Sequence, residues 1–348
     1  MSLLDDEIAE QPEALAHFID AEIPALGRFQ PLLRDPDLRY VVVAARGSSD
    51  NAARYAQYVF GARLRLPVAL AVPSVISVYK QPPRLNGALV VGVSQSGRSP
   101  DIVSVLEAAA DQERPSIAVT NDPGSPLAAV ASEVLPLHIP AERSVAATKT
   151  YLCSLAALAL LCSCGAEGAD ARRAEGELRS LPPIVESVIR RAISERDLAN
   201  RFAHIENCAV IGRGFNYGTA HEIALKIKEL SGVIAEPYSP PDLLHGPIAA
   251  IDQGFPVMVV APEDATLPGL REITETLSER GSDLIVISGD AFLQGIAGTA
   301  FTLPAQPQDW LTPMVTVVPG QVFAAQLARA RGADPDHPVG LTKVTETY

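Results

Sequence analysis

Three β runs recur at one spacing. Adding 167 to the residue numbers carries Arg46-Gly47 onto Arg213-Gly214, Val90–Val93 onto Val257–Val260, and Ile117–Val119 onto Leu284–Val286. A common offset at three separate places marks a duplicated unit, so the two halves are expected to share one fold. In the first half, strands are expected at about 40–45, 67–72, 90–93, 116–120 and 134–138, with helical runs between most of them. Alternation of this kind predicts an α/β fold, with a parallel sheet covered by helices on both faces.

The length and balance of the chain fit that plan. At 348 residues with 47% hydrophobic content, there is material for two cores of ordinary size. Helical spacing around Leu15, Phe18, Ile19, Ile23 and Leu26 suggests a packing arm over 1–34. The first domain is expected over 35–165 and a partly helical connection over 166–200. The second domain follows over 201–332, and a tail over 333–348 closes the chain. The net charge of −13 argues against nucleic acid or an anionic membrane as partner, since both call for basic surface. Cys153, Cys162, Cys164 and Cys208 lack paired metal-ligand spacing and read as reduced core residues. The acidic start M-S-L-L-D-D-E has no leader pattern, which predicts a cytoplasmic protein. Tyr151–Cys164 stands out as the longest apolar segment; at about 14 residues it is too short to span a bilayer and reads as a buried helix.

Chemistry concentrates first in V-V-G-V-S-Q-S-G-R-S-P-D, residues 90–101. A buried strand runs into a turn with three hydroxyls, at Ser94, Ser96 and Ser99, before a helical run. Gly97 allows close backbone approach, and a helix N-terminus presents unpaired N–H groups, so the turn suits an anion and phosphate best. The plainer alternative is an ordinary turn with Ser99 as N-cap and Pro100 as first helical residue. In the second half the matching residues are Ala261-Pro262-Glu263-Asp264, without a serine, so one half alone keeps the anion site. No dinucleotide fingerprint or Walker lysine is present.

Three further candidates remain. Glu222, Lys226 and Glu229 share one face of a helix whose apolar stripe is Ile223, Ile227 and Leu230; the face is either a site or a solvated run of ion pairs. His245 lies in Glu236–Pro247, a loop stiffened by four prolines, where it is either a proton carrier or a packing residue. Lys343 stands in the tail. It is either solvated or carried inward by Pro338, Leu341 and Val344, where its amine is free for a carbonyl.

Taken together these residues resemble the sugar isomerase (SIS) family, and within it the isomerase half of glucosamine-6-phosphate synthase and the stand-alone amino-sugar-phosphate deaminases. The resemblance rests on Arg46-Gly47-Ser48-Ser49, Ser94-Gln95-Ser96-Gly97, Ala146-Ala147-Thr148-Lys149, Leu225-Lys226-Ile227-Lys228-Glu229 and His245-Gly246-Pro247. It implies two tandem SIS domains, each a doubly wound, flavodoxin-like αβα sandwich. Ser49, Ser94, Gln95, Ser96 and Ser99 would bind a sugar phosphate, with Ala146, Glu222 and Lys226 also among the substrate-binding residues. Glu229 would move a proton between C1 and C2, His245 would assist ring opening, and Lys343 would engage the open-chain carbonyl. No metal or other cofactor is implied. The resemblance also implies a homodimer with a shared active site. The implied activity is deamination of glucosamine 6-phosphate to fructose 6-phosphate; plain aldose–ketose isomerisation, action on another amino-linked sugar phosphate, and a non-catalytic sensor are the alternatives. With no cysteine before Cys153, the chain is not expected to release ammonia from glutamine, and Arg98 and Leu244 depart from the synthase pattern.

Overall fold

The computed structural model describes residues 2–343. The chain forms two compact units, each built on one sheet. The first-sheet unit takes Glu13–Glu142, Lys149–Arg179, Thr342 and Lys343. The second-sheet unit takes the described residues up to Pro12, with Arg143–Thr148 and Ser180–Leu341. The unit boundaries therefore cut through two segments expected to be whole. The helix Gln11–Glu22 begins in one unit and continues in the other, and the 166–200 connection divides between the helices Gly168–Arg179 and Leu181–Glu195. Residues 344–348 of the expected tail lie outside the described residues.

In the first-sheet unit the strands are β1 (Tyr40–Ala44), β2 (Val68–Leu70), β3 (Ala88–Val93), β4 (Ser116–Thr120) and β5 (Glu133–Pro136). All pairings are parallel, in the order β2-β1-β3-β4-β5. β3 is buried at every residue, as expected for a strand with helices over both faces, where apolar side chains need not alternate with polar ones. On one face Val42, Ala44, Val90 and Ala118 pack with Leu106 and Leu127 from the covering helices. The helices Ser48–Leu64 and Lys149–Cys164 also pack on each other, and every residue of the latter is buried, as its unbroken apolar run predicts.

The second-sheet unit repeats the plan. Its strands are β6 (Asn207–Ile211), β7 (Ile234–Tyr238), β8 (Pro256–Val260), β9 (Asp283–Ser288) and β10 (Thr299–Thr302). Read from the β7 edge, their order is β7-β6-β8-β9-β10, which is the order of the first sheet, again with parallel pairing throughout. The two α/β sandwiches of one topology thus agree with the 167-residue offset.

Tyr151–Cys164 is not the longest apolar segment after all. Residues 309–330 are long and apolar enough to cross a membrane by length and composition, and 94% of the most apolar stretch is buried inside the protein. Polar residues hide this helix from a count of unbroken apolar residues, and the fold satisfies them in place. Thr316 donates to Asn216 at 2.5 Å, and Gln321 accepts from Gln11 at 2.9 Å. All four cysteines are unpaired and buried. Burial pushes the thiols of Cys162, Cys164 and Cys208 up to about 12 and raises that of Cys153 as well.

Candidate active site

β1 is flanked by β2 on one side and β3 on the other, so the connections leaving β1 and β3 turn apart at their carboxyl ends. Open sheets of this kind bind ligands in the crevice so formed. Two residues beyond the register pair Ala44 and Gly92 stand Arg46 and Ser94, the first residues of the two candidate turns. After β1, Gly47 takes φ +56° and opens the helix Ser48–Leu64, which puts Ser49 in its first turn. After β3, Ser94 Oγ accepts from Gly97 N–H at 3.2 Å and Ser96 Oγ from Arg98 N–H at 3.3 Å. The carbonyl of Gln95 is fixed by Asn121 N–H at 3.0 Å and Thr120 Oγ1 at 3.1 Å. Gly97 has φ +61° and sits against Ser125, leaving no room for a side chain.

Ser99 does occupy the N-cap of the helix Pro100–Ala110, but its hydroxyl makes no capping bond. The plain capping role therefore explains its position and not its side chain. Sequence reasoning passed over the ion pair across these turns. Arg46 Nε donates to Asp101 Oδ2 at 2.7 Å, and the Asp101 carboxylate is 2% exposed. No fixed spacing links residues 55 apart, so only the pairing of β1 with β3 reveals it.

The second constellation lies on the helix Tyr217–Ser231. Ile223, Ile227 and Leu230 are buried as the spacing predicts. The other face is not solvated, however: Lys226 is 1% exposed and Glu222 0%. Lys226 Nζ lies 2.5 Å from Glu229 Oε2 and 3.5 Å from Glu222 Oε1, while the Glu229 side chain remains 24% exposed. Exposure at one carboxylate and burial at the other separate their roles. Glu222 is enclosed beside the Lys226 amine, and of the three side chains only that of Glu229 stays partly exposed.

His245 closes the short helix Pro240–Leu244 at its C-cap and is exposed, so a core packing role is excluded. Its ring makes no hydrogen bond to a described residue. Lys343 is not a solvated tail residue. Its Nζ donates to Glu142 Oε2 at 2.8 Å, while Glu142 Oε1 accepts from Thr150 N–H at 3.2 Å in the first turn of Lys149–Cys164. Glu142 was missed because a lone glutamate carries no spacing signal. Ala146 is buried in the second-sheet unit, where its carbonyl accepts from Ser144 Oγ at 3.2 Å. The amides of Arg143 and Ser144 donate to the Glu7 carboxylate at 2.6 and 3.1 Å, which fixes this segment to the helix Leu3–Ala9.

Comparison with known proteins finds relatives along nearly the whole chain. The glutamine–fructose-6-phosphate aminotransferase (isomerizing) of Mycobacterium bovis is 36% identical over 358 residues, covering 97% of this chain and 56% of the relative. The chain thus spans about half the length of the curated relatives it matches. Among solved structures, the C-terminal domain of glucosamine-fructose-6-phosphate aminotransferase from Francisella tularensis superposes with a TM-score of 0.89 at 26% identity, covering 97% of this chain and 98% of that one. A protein of Silicibacter pomeroyi DSS-3 described as a candidate phosphosugar isomerase is 34% identical with a TM-score of 0.86, covering 97% of this chain and all of that one. The model of the SIS domain matches residues 36–163 and again 202–331, one match on each sheet, and the chain belongs to the SIS domain family.

Proposed function

We propose that this chain is a phosphosugar isomerase acting on an amino-sugar phosphate, and that its reaction is the deamination of glucosamine 6-phosphate to fructose 6-phosphate and ammonia. The observation that carries the reading is the buried Lys226 ammonium between Glu222 and Glu229. A buried ion pair of this kind is weak evidence of stabilisation, because apolar residues of similar volume often serve the fold as well. Charged groups held away from water beside a partly exposed carboxylate are what proton transfer calls for.

In this reading the hydroxyls of Ser49, Ser94, Ser96 and Ser99, the Gln95 side chain and the N-terminus of Pro100–Ala110 take the phosphoryl group. The pyranose opens with proton transfer assisted by His245, and the C1 aldehyde results. Glu229 removes the C2 proton and returns it to C1, while a second proton passes from the amine nitrogen to the C1 oxygen, which leaves a C1 hydroxyl and an imine at C2. Water adds to that imine and ammonia leaves, giving fructose 6-phosphate. Lys343, held by Glu142, engages the open-chain carbonyl. His245 is exposed and its ring makes no hydrogen bond to a described residue, which suits a residue offered to a neighbouring copy, and we assign the working form as a homodimer on that ground.

The test is ammonia and ketose production from a panel of hexosamine 6-phosphates, with Glu229→Gln alongside the wild type. The variant is expected to lose about 10²–10⁴ in turnover while sugar-phosphate binding stays within a few-fold. Full deaminase activity in Glu229→Gln would overturn the assignment. Ketose formation without ammonia would point instead to plain isomerisation.

A further inference from the structure

The serines, Gln95 and the backbone of the turn offer only neutral donors to a dianion, and the helix behind them begins with an acid. Asp101 is the second residue of Pro100–Ala110, is 2% exposed, and accepts from the Ile102 N–H at 2.9 Å. A carboxylate there is stabilised by the helix N-terminus, but it uses up the same partial positive charge that a phosphoryl group would draw on. On a chain of net charge −13, something local must offset it.

Two cations stand at the turns. Arg98 is directed to Asp122, 3.4 Å away, and its side chain is 63% exposed. Arg46 is placed differently. It lies two residues past Ala44, as Ser94 lies two past that residue's register partner Gly92, and among the described residues its Nε alone is bonded, to Asp101. Half the side chain is exposed, and Nη1 and Nη2 have no partner among the described residues. Adjacent strands lie about 4.8 Å apart, so the free edge of this guanidinium is within side-chain reach of the Ser94–Ser99 turn. An arginine held by one nitrogen keeps its fork for another acceptor, and phosphate oxygens fit that fork in pairs.

We infer that Arg46 is a phosphate-binding residue of this site, with Asp101 as its positioning residue: Asp101 aims the guanidinium, and Arg46 both neutralises Asp101 and supplies the formal charge that the serines lack. The inference rests on the phosphosugar reading above and names a residue which that reading does not.

The experiment measures binding of inorganic phosphate, glucosamine 6-phosphate and unphosphorylated glucosamine by calorimetry, with melting temperature as the check on folding. Arg46→Gln is expected to weaken both phosphates about tenfold or more and to leave glucosamine unchanged. Asp101→Asn keeps an acceptor for Nε and removes the opposing charge, so phosphate binding should tighten. Arg213→Gln, at the matching position of the half without serines, should have no effect. If Arg46→Gln and Asp101→Asn weaken phosphate equally and lower the melting temperature together, the pair is a structural lock and the inference is overturned. Phosphate binding that Ser96→Ala loses and Arg46→Gln keeps overturns the role of Arg46 alone. A wild type that binds neither phosphate overturns the phosphosugar reading with it.

Discussion

Substituting Gly97 by alanine should damage the phosphate turn more than one added methyl suggests, and the size of the effect follows from the geometry. The residue has φ +61°, where a side chain costs about 1–2 kcal/mol. A Cβ at this position would lie 2.1 Å from Ser125 Oγ, 2.5 Å from Ser125 Cβ and 3.1 Å from Thr120 Oγ1. Turning the hydroxyl away gives up the cap that Ser125 makes to Ala128 N–H at 3.4 Å, worth about 1 kcal/mol. Rotation cannot move Ser125 Cβ, so the backbone must also shift, and overpacking of this sort typically costs about 1–3 kcal/mol. Together the loss is about 3–6 kcal/mol, a large share of the roughly 5–15 kcal/mol that holds an ordinary domain folded. Urea unfolding of Gly97→Ala, Ser125→Gly and the double variant separates the contributions. The double variant should recover the clash and retain the cost of positive φ. If Gly97→Ala alone unfolds within about 0.5 kcal/mol of wild type, the packing argument is wrong.

Two other outcomes are open to direct measurement. The Asp290 carboxyl accepts from Arg271 and from Leu293 N–H, and the Arg271 bond is the main reason its pKa is held below the ordinary 3.8. Because the folded value is the lower one, this contribution is complete above the ordinary carboxylate range and is lost as pH falls through the folded value. Asp290→Asn keeps an oxygen for the Leu293 N–H but loses the ionic bond to Arg271, so it should cost up to about 1 kcal/mol at pH 7, and the gap from wild type should close on acidification. Added salt should narrow it too, since the Arg271 side chain is 45% exposed. The second outcome concerns the thiols. With Cys162, Cys164 and Cys208 raised to about 12 by burial, a thiolate-directed reagent at pH 8 should label the native protein far more slowly than the urea-unfolded chain. Rapid native labelling would contradict the buried placement.

Some of this protein could be read without its structure because the information is local. An apolar run bounded by a turn signals a strand wherever it lies, so β1, β3, β4, β8 and β9 were legible, and the repeated offset followed from them. The serine turn was legible for the same reason, as its donors lie within six residues of one another. So was the shared face of Glu222, Lys226 and Glu229, since helical spacing fixes which side chains neighbour each other.

What spacing could not decide was which side of that face met water. A lysine and two glutamates at helical spacing fit a site or a solvated face equally, and the fold buries Lys226 and Glu222 while leaving Glu229 partly open. The same holds for the partners 55 and 201 residues apart, Arg46 with Asp101 and Glu142 with Lys343. Burial and long-range pairing depend on which elements come to lie against each other. Sequence alone therefore determined the fold class, the duplication and the turn that invites an anion. The tertiary structure decided which charges are desolvated and which are held in place, because the dielectric around a side chain belongs to the packing and not to its neighbours in the chain.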